Sequence, residues 1–455
     1  MHQTLLYIPE RIGGFPVFGW GVLLVLWIII TGITLLSDYR KAKSWKSLGS
    51  FIPIALLGAA AIIWLLPRIV KPGGLPIQSY GAMMLLGILS GVALAIYRAR
   101  KFNYSSDIII SLAIWMCLPG IIGARLFFCI EYWNEMQGDT LAQTIANMLS
   151  FTEGGLVVYG SVFGALAGAV VFFLITPNPN ANQAGESKHL PVLRMLDIIA
   201  PSMVLGLALG RIGCLLNGCC FGGVCDAEKV PWAITFPAGS PPFMQQLEEN
   251  KINLEQQPVQ GMILKKTPLF SDQRFSMPNG EAVKSGLFVQ SVTPSSPADK
   301  AGIKPNDMII GINGASVYNQ NYDVNIALVY YQLTADARHK GTVELDLFSR
   351  PSVSWKYSSA GEIRSLPVHP TQIYSSLTAF LLLIIVLVFD RFPHWEGAVF
   401  ALLFTLYPIN RWILEYIRVD EDSFMGTGMS ISQNVSMLIL PAVIALWIYL
   451  WRRDR

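Results

Sequence analysis

Long, nearly charge-free apolar runs limit this chain more than any other feature. The first, "FPVFGWGVLLVLWIIITGITLL", covers 22 residues from Phe15 without a charged side chain. About 20 such residues span the hydrocarbon core of a bilayer as a helix. In that medium a helix is one of the few structures that satisfies its own backbone. We read nine spans, near 15–36, 51–70, 79–98, 108–127, 155–176, 193–216, 371–389, 396–417 and 433–451. Pro119 and Arg125 interrupt the fourth. Composition agrees: 14% of the 455 residues are charged, against about 25% in soluble domains. The net charge of +3 points to no nucleic-acid partner. The expected fold class is an all-α polytopic membrane protein with about nine transmembrane helices.

Basic residues in short loops set orientation. "YRKAKSWK", "YRARK", the loop around Lys188 and Arg194, "DRF" and the terminal "WRRDR" all fall on one side of a nine-span chain. That side is the cytoplasm, so the C-terminus is expected inside and the N-terminus outside. The opening "MHQTLLYIPERIGG" lacks the basic-then-apolar pattern and cleavage site of a signal peptide, so the first span is expected to remain.

The stretch from about 226 to 368 is polar and rich in turns, and by the same count lies in the periplasm. Within it, "SGLFVQSVTPSSPADKAGIKPNDMIIGINGASV" has short alternating strands and two Pro-containing turns, the marks of a small β-rich domain. It resembles a bacterial PDZ domain, with Gly286, Leu287 and Phe288 matching the carboxylate-binding loop. The resemblance implies that it binds extended peptide by strand addition; a spacer that fills its own groove is the alternative. The expected organisation is 1–72, two leading helices; 73–240, the first part of the core; 241–365, a periplasmic insertion with its PDZ-like domain at about 270–350; and 366–455, three final helices.

Charges inside spans carry functional information, because a central Arg costs about 2.5–3.5 kcal/mol on insertion scales. Arg125, Arg211, Arg411 and Arg418 stand out. In "LYPINRWILEYIRVDE", Tyr407, Arg411, Glu415 and Arg418 fall on one helical face, with Arg411 and Glu415 at pairing distance. A structural ion pair and a guanidinium presented to a cavity are the two readings. Arg211 closes the sixth span among glycines, with Asn217 at the same depth; snorkelling to interfacial water is its alternative. Two arginines facing one outer cavity suit phosphate, whose geometry the guanidinium fork matches. His369 is the one histidine on the outer side beside a span. Gly154, Gly155 and Tyr159 open the fifth span.

Cys214, Cys219, Cys220 and Cys225 raise the question of metal or redox chemistry. Their spacing is a poor zinc knuckle and contains no C-x-x-C. An oxidising face permits a local disulfide of Cys214 or Cys219 with Cys225. No metal or cofactor is expected.

Together the motifs resemble prolipoprotein diacylglyceryl transferase. The resemblance runs through "SYGAMMLLG", "GARLFFCIEYW", "EGGLVVYGSVFGA", "LGRIGCLLNGCCFGG", "VPWAITFP", "HPTQIYSS", "NRWILEYIRVDE" and "GMSISQNVS". It implies transfer of the diacylglyceryl group of phosphatidylglycerol to the lipobox cysteine of a preprolipoprotein, at the bacterial inner membrane. A thioether forms and glycerol phosphate leaves. It also implies roles. Arg211 and Arg411 hold the phosphate, and Glu415 orients Arg411. Asn217, Tyr80 and Tyr407 position the headgroup, while Gly222 allows close approach. Arg125, Arg418, Gly154 and Gly155 complete the substrate site. Tyr159 stands where some members have a histidine regarded as a thiol base. An unperturbed tyrosine, titrating near 10, is a poor base, so His369 and the leaving phosphate are alternatives. The two leading helices and the insertion depart from the family core. The PDZ-like domain is expected to hold a preprotein segment or recruit a periplasmic protein.

Two other classes remain. One is a non-catalytic lipid-binding scaffold, against which the intact Arg211, Asn217, Arg411 and Glu415 argue. The other is a thiol oxidoreductase built on the cysteines. Protease signatures such as G-x-S-x-G and H-E-x-x-H are absent from the spans.

Overall fold

The computed structural model describes residues 4–42, 51–70, 74–138, 140–149, 157–179, 189–249, 251–252, 257–268, 284–318, 323–358, 363–392, 394–419 and 429–454. Seven of its apolar helices are labelled α1 (Ser79–Lys101), α2 (Ser106–Glu131), α3 (Val158–Ile175), α4 (Val192–Asn217), α5 (Thr371–Phe389), α6 (Ala398–Glu415) and α7 (Ile431–Arg453). Among the described residues, six are long and apolar enough to cross a membrane: α1, α2, α4, α5, α6 and α7. Three shorter apolar helical stretches, Val22–Leu36, Ala55–Arg68 and Gly160–Ile175, fall within the other expected spans. The chain is a multi-pass membrane protein.

The first expected span starts later than the sequence suggests. Phe15–Pro16 pairs with Arg11–Ile12 as a short hairpin, and helix begins only at Val22. Proline has no N–H for a helix interior. At Gly21 the chain folds back so closely that a Cβ would lie 2.0 Å from the Pro16 carbonyl oxygen.

The chain divides into two compact units. One comprises His2–Gly213, Ala379–Leu406 and Ala442–Arg455. Within it α2 and α3 meet along glycines. A Cβ on Gly160, Gly164 or Gly168 would stand 2.3, 2.1 or 1.8 Å from the carbonyl oxygen of Gly123, Pro119 or Trp115. Small residues at intervals of four let helix backbones touch in lipid, where dispersion rather than the hydrophobic effect drives packing. Gly87 on α1 meets Gly206 on α4 in the same manner.

Arg98 ties this unit together. The sequence reading treated "YRARK" as a loop signal, yet Arg98 lies inside α1, 4% exposed. Its guanidinium donates to both carboxylate oxygens of Asp390, at 2.7 and 2.9 Å, and to the backbone carbonyls of Asp197 and Ile198. Asp197 in turn accepts from the N–H groups of Gly397 and Phe400, at the start of α6. Burial pushes the Asp390 carboxyl up, but Arg98 more than offsets it and holds the group below its ordinary value.

The other unit comprises Cys214–Thr378 and Tyr407–Pro441. Its largest feature is an antiparallel sheet. The strands are β1 (Met262–Pro268), β2 (Ser285–Val292), β3 (Met308–Ile312), β4 (Thr342–Leu347) and β5 (Val353–Lys356), in the order β5-β4-β3-β2-β1. Ala315–Ser316 pairs with β3 across Asn313-Gly314. Both turn residues have positive φ, +54° and +80°, as a two-residue hairpin of this sequence requires. Val343, Leu345 and Leu347 alternate inward on β4 and join Leu264, Val289, Ile309, Phe243 and Leu333 in one core. Gly286, Leu287 and Phe288 lie in β2, where Leu287 faces Lys266 on β1 and Ile309 on β3 and is wholly buried. Ser358 exchanges two hydrogen bonds with the Gln260 side chain, so the sheet begins and ends at neighbouring points.

Two predictions follow from these contacts. Arg98→Ala strands a half-buried carboxylate and should cost about 1–3 kcal/mol, read as loss of unfolding free energy in detergent micelles; a change under about 0.5 kcal/mol contradicts the account. In the sheet unit, Lys266, 2.7 Å away, and Ser285 hold the Asp323 carboxyl below its ordinary value. Its stabilising contribution is therefore full above about pH 3.9 and fades as pH falls through the lower, folded value. Hydrogen exchange of β1 and β2 amides should accelerate over that window, and the acid-dependent step should vanish in Asp323→Asn.

Candidate functional site

The helix α4 ends at Asn217, and the way it ends builds the site. Gly218 takes φ +84°, and its N–H and that of Cys219 both return to the Cys214 carbonyl, at 2.8 and 3.2 Å. Such a left-handed cap satisfies the final carbonyls and reverses the chain. The following residues are then gripped from both sides. Gly222 N–H donates to the His369 carbonyl, and His369 N–H donates to Gly223. On the opposite side Gly223 N–H donates to Ile417, and Gly222 bridges to Arg418. Side chains at the start of α5 hold the same loop: Gln372 donates to the Cys219 carbonyl at 2.7 Å and Thr371 to that of Cys220 at 2.6 Å.

Gly222 is required by close approach. A Cβ there would lie 2.7 Å from the Cβ of His369 and 2.8 Å from its carbonyl oxygen. Backbone on that side cannot yield as a flexible side chain would.

Arg418, expected on the same helical face, instead follows the end of α6 at Glu415, and its bridge to Gly222 sets this loop beside the charges of α6. The Arg411 guanidinium lies 2.8 Å from a Glu415 carboxylate oxygen, and that of Arg418 lies 3.7 Å from the same oxygen. The three side chains are 9%, 5% and 4% exposed. Arg411 also donates to the Ser432 hydroxyl at 2.6 Å. Ser432 is fixed by the start of α7, where Ser430 and Gln433 exchange hydrogen bonds as a capping box. Within the triad two guanidiniums share one carboxylate. Tyr407 is half-buried one turn before Arg411.

His369 is half-buried. Its Nδ1 lies 3.5 Å from the Tyr374 hydroxyl, which accepts from the Trp232 indole at 2.6 Å. The stretches around Trp232 and His369 are further joined by mutual backbone hydrogen bonds between Ile234 and Val368.

The unit containing Asn217, Gly222, His369, Tyr407, Arg411, Glu415 and Arg418 thus gathers seven expected site residues. Tyr80, Arg125 and Arg211 belong to the other unit. There Tyr80 packs over Gly213, two residues beyond Arg211, which is half-buried. Arg125 is 5% exposed and donates to the carbonyls of Asn147 and Met148, in the last turn of the helix Leu141–Leu149. A cation there complements the negative helix end. Tyr159 opens α3, but its side chain, like the whole of Gly154 and Gly155, lies outside the described residues.

The sequence reading missed Thr371, Gln372 and Ser432. The signal for Ser432 was present in "SISQ", whose Ser and Gln three apart mark a helix start; nothing local marks the other two. The disulfide that an oxidising face would permit is not formed: all six cysteines are free.

Comparison with known proteins adds independent findings. The family described as prolipoprotein diacylglyceryl transferase matches residues 67–449. A phosphatidylglycerol–prolipoprotein diacylglyceryl transferase of Rhodopirellula baltica is 28% identical over 99% of this chain and 90% of its own length. Relatives of the same name from Clostridium tetani and Trichormus variabilis are 35% and 28% identical, over 36% and 38% of this chain and 57% and 54% of theirs. The chain thus matches little more than half the length of these two.

The geometry makes a direct prediction. Gly222→Ala must push His369 and its strand away from the loop, at a cost of about 1–3 kcal/mol. Hydrogen exchange should become faster at the amides of Gly222, Gly223 and His369, with the sheet amides unchanged. Wild-type protection at those three amides would refute the close approach.

Proposed function

The chain belongs to the prolipoprotein diacylglyceryl transferase family, and on that premise we propose how its residues divide the work. The enzyme moves the diacylglyceryl group of phosphatidylglycerol to the lipobox cysteine of a preprolipoprotein. The thiol sulfur forms a bond to the glyceryl carbon, the carbon–oxygen bond to phosphate breaks, and glycerol phosphate departs with the electron pair. The thiol proton ends on the leaving phosphate or on a residue beside it.

The observation that carries the assignment is the buried Arg411–Glu415–Arg418 triad beside Gly222. Its two guanidiniums present N–H donors suited to an anion, and the charge that grows on the leaving phosphate is what such donors stabilise. Glu415 contacts both guanidiniums and acts as a positioning residue for them. Arg211 and Asn217, with Tyr80 and Tyr407, are assigned to the headgroup. The remaining headgroup assignments are Arg125, Gly154 and Gly155. Tyr159 and His369 are the candidates for the thiol proton. The tether of His369 to Tyr374 supports a fixed ring.

Nine spans with the N-terminus outside, the reading that the loop charges support, would put the sheet itself in the periplasm. The sheet is assigned as a PDZ-like module, supported by the "SPADKAGIKPND" segment. Ser296 caps the short helix Pro297–Lys300 there, and Gly302 turns the chain at φ +83°. Phe288 and its neighbours lie on a strand paired at both sides, so the outer edge of β1 is the surface we assign to an added strand. The occupant would be a preprotein segment or a periplasmic protein.

The decisive assay uses phosphatidylglycerol vesicles and a lipobox peptide. Wild type should add a diacylglyceryl mass to the peptide cysteine and release glycerol phosphate. Arg411→Ala should lower the rate by about 10²–10³-fold, and Glu415→Gln should lower it less. An inactive wild type with competent lipid and peptide would favour the scaffold reading. Replacing 261–357 by a short linker, at the point closed by Gln260 and Ser358, should spare transfer to the short peptide and lower it for intact preproteins. Equal rates for both substrates would exclude a substrate-holding role for the sheet.

A further inference from the structure

The cysteine cluster is unused by the transfer reaction, whose nucleophile is the substrate's own thiol. The sulfurs of Cys214, Cys219 and Cys220 lie within 4.8 Å of one another. From the sequence their spacing made a poor metal knuckle. The fold removes that objection, because the left-handed cap at Gly218 turns the chain back over the last turn of α4. Cys214 is buried and the other two are half-buried.

The loop holding these thiols is built rather than incidental. Cys220 itself takes φ +57°, a conformation uncommon for any residue with a side chain. The carbonyls of Cys219 and Cys220 are pinned by Gln372 and Thr371. Both thiols are therefore carried on backbone fixed from outside the loop. Cys225 does not join the group; its N–H is bound to the Pro367 carbonyl.

Three sulfurs select a soft cation, and the Asn217 side chain, which contacts the Cys219 thiol, is a far weaker ligand. A metal at about 2.3 Å from each of three thiolates sets the sulfurs roughly 4 Å apart, so the cluster closes around one with small side-chain movements. Among the described residues no imidazole or carboxylate belongs to the group. Structural zinc takes four ligands, whereas univalent copper is soft, suits thiolate and is content with three. We infer that Cys214, Cys219 and Cys220 form a three-thiolate site for univalent copper. Binding replaces sulfur–hydrogen bonds by sulfur–copper bonds and releases up to three protons to solvent, so affinity rises with pH. The inference does not rest on the transfer reaction.

The test uses the full chain, reduced, in lipid nanodiscs, with univalent copper supplied from a bicinchoninate buffer. One copper per chain should bind, with X-ray absorption showing three sulfur neighbours. Cys219→Ser and Cys220→Ser should each lose that binding while keeping wild-type circular dichroism, and Cys225→Ser should retain it. Three results would overturn the inference. They are uptake no greater than in the triple Cys214/Cys219/Cys220→Ser variant, uptake lost equally in Cys225→Ser, and a disulfide among the three thiols in protein taken from membranes after thiol blocking. Ready displacement of copper by excess zinc would overturn the choice of metal.

Discussion

A carboxylate shared by two guanidiniums is the interaction on which the polar end of this chain depends. Glu415 touches both Arg411 and Arg418, and all three are nearly sealed from solvent. Removing such charges from water is expensive, and mutual attraction repays it only with good geometry and further hydrogen bonds. The fold supplies these from separate elements. Ser432 on α7 takes a donor from Arg411, and the bridge to Gly222 fixes the backbone of Arg418. The same bridge locates the loop after α4, which then locates His369. The helices are scaffolding for these few extended residues.

Arg98 shows the same physics used for structure alone. It too is buried, paired in bidentate fashion and surrounded by carbonyls. The difference lies in how the carboxylate is shared. Arg98 holds both oxygens of one aspartate. Arg411 and Arg418 divide a single oxygen of Glu415 between them. Arg125 is a third case, set against helix-terminal carbonyls that carry only partial charge. An arginine at membrane depth is therefore informative only when its partners are known.

The apolar runs, the β-rich character of the stretch before α5 and the Arg411–Glu415 pair on α6 were legible in the sequence, because periodicity and composition act locally. Tyr407, Arg411 and Glu415 could be placed on one face from spacing alone, whereas Arg418 falls beyond the helix end. The joining of Gly222 to both His369 and Arg418 could not, since it pairs three segments about 150 and 200 residues apart through backbone hydrogen bonds that no side-chain pattern announces. The buried role of Arg98 within "YRARK" was hidden for a related reason: loop charge and buried charge look alike until the partner at Asp390 is known. The late start of the first helix was foreshadowed by Pro16 and its neighbouring glycines, which hydropathy ignores.

The insertion and leading helices are a shared design rather than an accident of this chain. The Rhodopirellula baltica relative matches 99% of the residues, so both additions have counterparts there, whereas the Clostridium tetani relative matches only 36%. The cysteines pose a sharper constraint. An enzyme whose reaction alkylates a thiol endangers thiols of its own near the reacting lipid, and Cys219 and Cys220 sit three and two residues from Gly222. Turning their sulfurs toward Cys214, on backbone pinned by Gln372 and Thr371, directs the three thiols at one another. Left-handed φ at Gly218 and Cys220 is the conformational cost of that arrangement. Chemistry on a foreign thiol and a cluster of resident thiols can share one loop only because the backbone decides where each sulfur points.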